Sequence, residues 1–243
     1  TKGDVWTFKT AVAGMTGAAN PEDFERYLPN LDWNPVPEIQ GWEFYTADGV
    51  PVQHWQEIRA GASYDGSQIV KSWSNEGGNM RAKWHASFDI EEFPRQILTM
   101  NFNLNGIQEA DVVDDPNNDP NGHARVGFEI YDSTGSITVN LYCEYNHAAG
   151  NDAGFFELVG FPKNDRRYIP EVPLVLDQWY EAQLELDYDA NEVRVRVRVQ
   201  GTDFSDWTDP VAMISDGQND YVGFMLNGDV HLDYLTFTQS LEA

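Results

Sequence analysis

Three short runs set basic side chains two residues apart: Arg81-x-Lys83-x-His85, His123-x-Arg125 and Arg194-x-Arg196-x-Arg198. Two is the period of a β-strand, so each set is expected on one strand face while Ala82, Trp84, Val126, Val195 and Val197 take the other. The chain has 15 Lys plus Arg against 40 Asp plus Glu, a formal net charge of −25, so basic groups gathered on common faces call for a reason. They meet either an anionic ligand or acidic partners within the sheet. Arginine suits the first role because its planar guanidinium grips a carboxylate through two parallel hydrogen bonds. His85, His123, Tyr131 and Tyr142 are of the types that move protons beside such an anion.

Strands must carry these residues, and the alternation predicts them over 80–90, 97–105, 124–132, 136–146, 155–161, 179–188, 193–200, 221–226 and 230–238. Ser133-Thr134-Gly135, Asp189-Ala190-Asn191 and Asn227-Gly228-Asp229 read as hairpin-type turns between them. The first part of the chain is less regular. Residues 21–28 predict a short helix with Asn20 as N-cap and Pro21 in its first position, followed by an extended proline-punctuated loop over 29–37. No linker, repeat or composition break divides the sequence, so one domain is expected over 1–243.

Composition bounds the function. With 41% hydrophobic residues, 8 Trp, 11 Tyr and 13 Phe the chain can build a core. It has no apolar run of membrane-span length, and Thr1-Lys2-Gly3-Asp4 shows no signal-peptide pattern, so a soluble protein is expected, any leader already removed. The acidity opposes binding to nucleic acid or anionic membrane and suits salty or extracellular surroundings. The single Cys143 alternates with Ile137, Val139 and Leu141, which predicts a buried small hydrophobe with no intrachain disulfide.

The stretch Gln178-Trp179-Tyr180, the alternating Glu181 to Asp187, the acidic turn Tyr188-Asp189-Ala190-Asn191-Glu192 and the returning Val193-Arg194-Val195 resemble a hairpin of concanavalin A-like lectin/glucanase jelly rolls. Gly228-Asp229-Val230-His231-Leu232-Asp233-Tyr234-Leu235-Thr236-Phe237 resembles their closing strand. The resemblance implies an all-β jelly-roll sandwich of two antiparallel sheets, here with a short N-terminal helix and irregular loops. It also implies a secreted or cell-surface protein, expected as a monomer, whose concave sheet takes a polysaccharide. Lectins, carbohydrate-binding modules, glucanases and polysaccharide lyases all share this fold, so the activity must come from the site.

In the hairpin, the register expected to bring the polar faces together pairs Asp187 with Arg194, Glu185 with Arg196 and Gln183 with Arg198. That triplet is therefore expected to be a structural charge ladder. Elsewhere, Arg81, Lys83 and His85 share a face with Asp89; His123 and Arg125 share one with Glu129 and Tyr131; Asn140, Tyr142 and Glu144 share a third. Such a cleft suits uronate or sulfated sugars. Breaking a uronate polymer by β-elimination needs the carboxylate neutralised, a base for the C5 proton and an acid for the leaving oxygen. Arg81 and Arg125 fit the first task and His85, His123, Tyr131 and Tyr142 the others, with Lys83, Glu129, Asn140 and Glu144 as substrate contacts.

Two further readings stay open. A non-catalytic carbohydrate-binding module or lectin would use exposed aromatics such as Trp33, Trp42, Trp55 and Trp73, and a hydrolase would need paired carboxylates. The alginate-lyase blocks R-[ST]-E-x-R and Q-[IV]-H and the laminarinase-like E-x-D-x-x-E are absent as contiguous motifs. The chemistry requires no cofactor. Asp115, Asn117 and Asp119 offer oxygen ligands at alternate positions, either as a calcium loop or as a solvated acidic loop, and Asp233 is a calcium candidate through the closing-strand resemblance.

Overall fold

Apolar side chains at every second position press one face of each strand into a shared core. On the strand over 123–132, Ala124, Val126, Phe128 and Ile130 are fully buried, and on the strand over 192–199 Val193, Val195 and Val197 follow the same rule. The computed structural model describes the backbone of residues 31–32, 42–46, 54–60, 68–74, 80–84, 94–106, 123–132, 134–148, 151–161, 165–213, 219–227 and 229–239, and the side chains of those from 94 onward other than 123, 146–148, 151–153, 219–221, 225–227, 234, 237 and 239. These include fifteen strands and, among the described residues, no helix: β1 (Leu31–Asp32), β2 (Trp42–Thr46), β3 (His54–Ala60), β4 (Gln68–Ser74), β5 (Met80–Trp84), β6 (Arg95–Gly106), β7 (His123–Asp132), β8 (Ile137–Ala148), β9 (Asn151–Gly160), β10 (Asp165–Tyr168), β11 (Trp179–Asp187), β12 (Glu192–Val199), β13 (Val211–Ala212), β14 (Asn219–Asn227) and β15 (Asp229–Gln239). They pair antiparallel into an eight-stranded sheet, β1-β3-β4-β15-β6-β11-β12-β13, and a seven-stranded sheet, β10-β9-β8-β7-β14-β5-β2.

Every strand expected from residue 80 onward is present with shifted ends, as β5 to β9, β11, β12, β14 and β15. The expected helix over 21–28 and residues 85–90 of the first expected strand lie outside the described residues. β1 runs within the stretch read as a loop, and β2, β3, β4, β10 and β13 were also not foreseen. Their alternation is broken or too short to read: β3 sets Gln56 beside Glu57, and β4 sets Ile69 beside Val70. One expected turn also changes meaning. Around Asn227 and Asp229 the chain does not make a hairpin but passes from β14 in the seven-stranded sheet to β15 in the eight-stranded one.

Aromatic rings join the two sheets. Phe102 of β6 lies 5.6 Å from Phe128 and 6.3 Å from Phe156, and Tyr180 of β11 lies 5.4 Å from Phe156. Each such pair contributes about 0.5–1.5 kcal/mol beyond the area it buries. The Tyr180 hydroxyl escapes the core, donating to the Pro173 carbonyl at 2.9 Å and accepting from the Val175 amide at 2.8 Å, so one side chain both fills the core and pins the loop before β11. Gly160 lets β9 approach β13, since a Cβ there would sit 2.2 Å from the Ala212 carbonyl oxygen. Cys143 is fully buried among these residues, and burial pushes its thiol well above the ordinary value, as an inert hydrophobe requires.

The β7–β8 hairpin closes on Asp132, whose Oδ1 accepts from the Thr134 amide at 2.9 Å, the Thr134 hydroxyl at 2.7 Å and the Ser136 amide at 2.9 Å. The Thr134 hydroxyl, then the Ser136 amide, hold this carboxyl below its ordinary 3.8. A carboxyl depressed in the folded state adds stability that is full above the unfolded value and is lost as pH falls through the folded one. Asp132→Asn is therefore expected to lower stability by under about 1 kcal/mol at neutral pH. The difference from the parent should close in acid, as read by urea midpoints across that range.

Candidate functional site

Because Val126, Phe128 and Ile130 point into the core, Arg125, Gly127, Glu129 and Tyr131 of β7 take the outer face of the seven-stranded sheet. On β8 the buried Val139, Leu141 and Cys143 send Asn140, Tyr142 and Glu144 the same way. The register sets Glu129 opposite Asn140, Gly127 opposite Tyr142 and Arg125 opposite Glu144. The expected site residues of two strands are thus brought together on one face.

At the centre lies a buried carboxylate. Glu129 is 1% exposed; its Oε2 accepts from the Tyr131 hydroxyl at 2.5 Å and its Oε1 from Asn140 Nδ2 at 3.2 Å. A buried charge is tolerable only with such partners. Gly223 of β14, opposite Glu129, gives the Tyr131 ring its seat, because a Cβ there would come within 2.6 Å of ring carbon Cε2. The Tyr131 hydroxyl donates to Glu129 and so braces the carboxylate. Asn140 Oδ1 is buried without a hydrogen-bond partner. Beside this group, Arg125 Nη2 meets Glu144 Oε2 at 2.5 Å, and the guanidinium carbon lies 5.8 Å from the Tyr142 ring centroid.

Sequence reasoning missed the continuation of this face onto β9 and β10. Glu157 stands opposite Tyr142, Phe155 opposite Glu144, and Tyr168 opposite Glu157. Arg166 Nη1 donates to Glu157 Oε1 at 2.8 Å. The signal was partly there, since Phe155 and Glu157 alternate within an expected strand; β10 has only four residues and no readable period. On the other side of β14, backbone register sets Lys83 opposite Gly223 and Arg81 opposite Met225. The side chains of Arg81, Lys83 and His123 lie outside the described residues, as do His85, Asp115, Asn117 and Asp119 altogether. Asp233 is fully buried on β15 of the other sheet, opposite Asn101, and does not join this face. Among the described residues no group of three or more His, Cys, Asp or Glu could hold a metal ion.

The arginine triplet lies on the outer face of the opposite sheet, but its register differs from expectation. Glu185 faces Arg194, Gln183 faces Arg196 and Glu181 faces Arg198, a shift of two residues on β11. The turn explains it: Tyr188 is buried, Asn191 adopts a left-handed φ of 56°, and the Ala190 amide donates to Asp187 Oδ1 at 2.9 Å, so the strands separate after Asp187. Asp187 then pairs with Arg95 of β6 at 2.6 Å instead of with Arg194. Arg194 is paired with Glu185, Arg196 Nε donates to Gln183 Oε1 at 2.9 Å, and Arg198 Nη2 meets Glu181 at 2.5 Å. The segment after β12 covers the ladder with aromatic rings: Arg196 lies 4.6 Å from the Phe204 centroid and 4.3 Å from that of Trp207. Ser205 and Thr208 amides tie that segment to the Val197 and Val195 carbonyls at 2.9 and 3.0 Å. Arg196→Lys, which keeps the charge and loses the planar stack, should cost about 1–2 kcal/mol in denaturant unfolding.

No protein-family model matches the sequence, and no curated protein matches it. Solved structures do resemble the fold. The exoplasmic/lumenal domain of VIP36, in a Ca2+/Man3GlcNAc-bound form, aligns with a TM-score of 0.50 at 7% identity over 85% of this chain and 86% of that one. A protein of unknown function, SO2946 from Shewanella oneidensis MR-1, aligns with a TM-score of 0.50 at 12% identity over 100% of this chain and 99% of that one. The catalytic domain of a GH131 β-glucanase from Podospora anserina gives 0.47 at 10% identity over 78% and 80%. Together with two antiparallel sheets closed on one core, the likenesses to the VIP36 domain and to SO2946 show that the chain has the fold of an all-β jelly-roll sandwich.

Proposed function

We propose that residues 1–243 form a single carbohydrate-active jelly roll, secreted or at the cell surface, that works as a monomer on a polysaccharide lying across the outer face of the seven-stranded sheet. The alignment of Arg125, Tyr142 and Glu144 with Glu157 and Tyr168 on that face supports this most strongly. Rings that stack on sugar and charged groups that hydrogen-bond to hydroxyls stand side by side there. The surplus of carboxylates over the whole chain disfavours nucleic acid and membrane as partners.

The finer reading is β-elimination on a uronate polymer. Arg81, Lys83 and Arg125 would neutralise the sugar carboxylate. His85, His123 or Tyr142 would take the C5 proton; the electron pair left behind forms the C4–C5 double bond, the C4–O bond breaks, and the leaving oxygen takes a proton from Tyr142 or a histidine. Tyr131 braces Glu129 in this scheme, because its hydroxyl already donates there. The elimination needs no cofactor; Asp115, Asn117 and Asp119 would be the ligands of a structural calcium, and Asp233 is a separate buried carboxylate.

A second reading, a lectin or non-catalytic binding module, is favoured by a specific observation. Arg125 and Arg166 already meet Glu144 and Glu157, which leaves the described part of the face without surplus positive charge. The VIP36 domain of similar fold, held with Man3GlcNAc, adds support to glycan as the partner class. Incubation with alginate, glucuronan, pectate and neutral β-glucans separates the readings. Ultraviolet absorbance of an unsaturated product together with new reducing ends supports elimination; reducing ends alone mean hydrolysis by the carboxylates; binding without either means a lectin or module. Under elimination, His85→Ala and Tyr142→Phe should each depress kcat by about 10²–10⁴-fold with smaller effects on KM. Full activity in both would remove the proton-transfer assignment.

A further inference from the structure

Tyr142, Glu157 and Tyr168 stand in one line across β8, β9 and β10. Neighbouring strands are about 4.8 Å apart, so tyrosines two strands apart on one face are separated by about 10 Å. That is close to the span of two sugar rings in an extended chain. Between them Glu157 is 6% exposed and bonded by Arg166 Nη1 at 2.8 Å. Tyr168 itself is 57% exposed, and its ring stands edge-on to Phe155 at 6.4 Å between centroids. Among the described residues β10 is the last strand of its sheet.

A large ring exposed at a sheet edge and packed edge-on against a neighbouring ring is oriented before any ligand arrives. It therefore loses little freedom on binding. Arg166 and Glu157 cancel each other's charge, which suits contacts to ring hydroxyls. We propose that Tyr168, opposite Glu157 and braced edge-on by Phe155, is an outer sugar-binding subsite at the β10 edge. The face then engages the interior of an extended glycan chain and lets it run past the sheet, instead of enclosing a single terminal sugar. This rests on the glycan-binding reading of the same face.

Calorimetric titration with size-graded oligosaccharides of alginate, cellulose and laminarin, from disaccharide to hexasaccharide, tests it. The parent should bind the hexasaccharide of at least one series more tightly than the disaccharide. Tyr168→Ala should lose about tenfold on the hexasaccharide and leave the disaccharide within about twofold. Tyr168→Phe, which keeps the ring, should stay within about threefold of the parent. Circular dichroism should be unchanged in both, since the ring is at the surface. If the parent binds and Tyr168→Ala alters no length, or alters all lengths equally, the subsite is wrong while the face remains the binding site. If the parent binds no member of any series, the glycan reading of the face falls together with the subsite.

Discussion

The contact of Phe102 and Tyr180 with Phe128 and Phe156 ties one sheet to the other, and the parity of every neighbouring strand follows from it. Once Phe128 points inward, Glu129 and Gly127 must point outward; once Tyr180 points inward, Glu181 must point outward. A slip of one residue on β7 would bury Arg125 and Glu129 in an apolar core at a cost of several kcal/mol each. The polar faces of the molecule are therefore consequences of its aromatic core.

The two outer faces have been used differently. On the eight-stranded sheet each arginine of the ladder meets an acid or amide across the strand and an aromatic ring above it, so its hydrogen-bonding and stacking capacity is largely consumed within the fold. On the seven-stranded sheet the floor is equally well braced, with Glu129 held by Tyr131 and Asn140. Its edge differs: Tyr168 stands out in solvent, edge-on to Phe155. A fixed floor beside an exposed aromatic edge is the arrangement expected of a surface that takes a ligand from outside.

Much of this was legible in the residues. The alternation of Arg125, Glu129, Asn140, Tyr142 and Glu144 with Val126, Phe128, Val139 and Leu141 assigns both strands and the polar face of each, and the register then joins the two faces. The arginine ladder was legible as structural, but not its register. That depended on whether Tyr188 belonged to the strand or to the turn, and its burial in the core decides the matter. The sheet change after Asn227 could not be read either, because a tight turn between alternating strands looks the same whether the strands pair or part. β10 and its exposed Tyr168 stayed hidden for a further reason: a four-residue edge strand has too few positions to show a period, and pairing with β9 alone defines it.

The central claim is that ligand meets the outer face of the seven-stranded sheet. Amide chemical shifts followed while an oligosaccharide that binds is titrated into labelled protein test it most directly. The account predicts that the largest changes cluster at Arg125, Tyr142, Glu157 and Tyr168, with Arg194, Arg196, Arg198, Phe204 and Trp207 unmoved. Changes centred on the arginine ladder and its covering segment, with β7 to β10 silent, would contradict it.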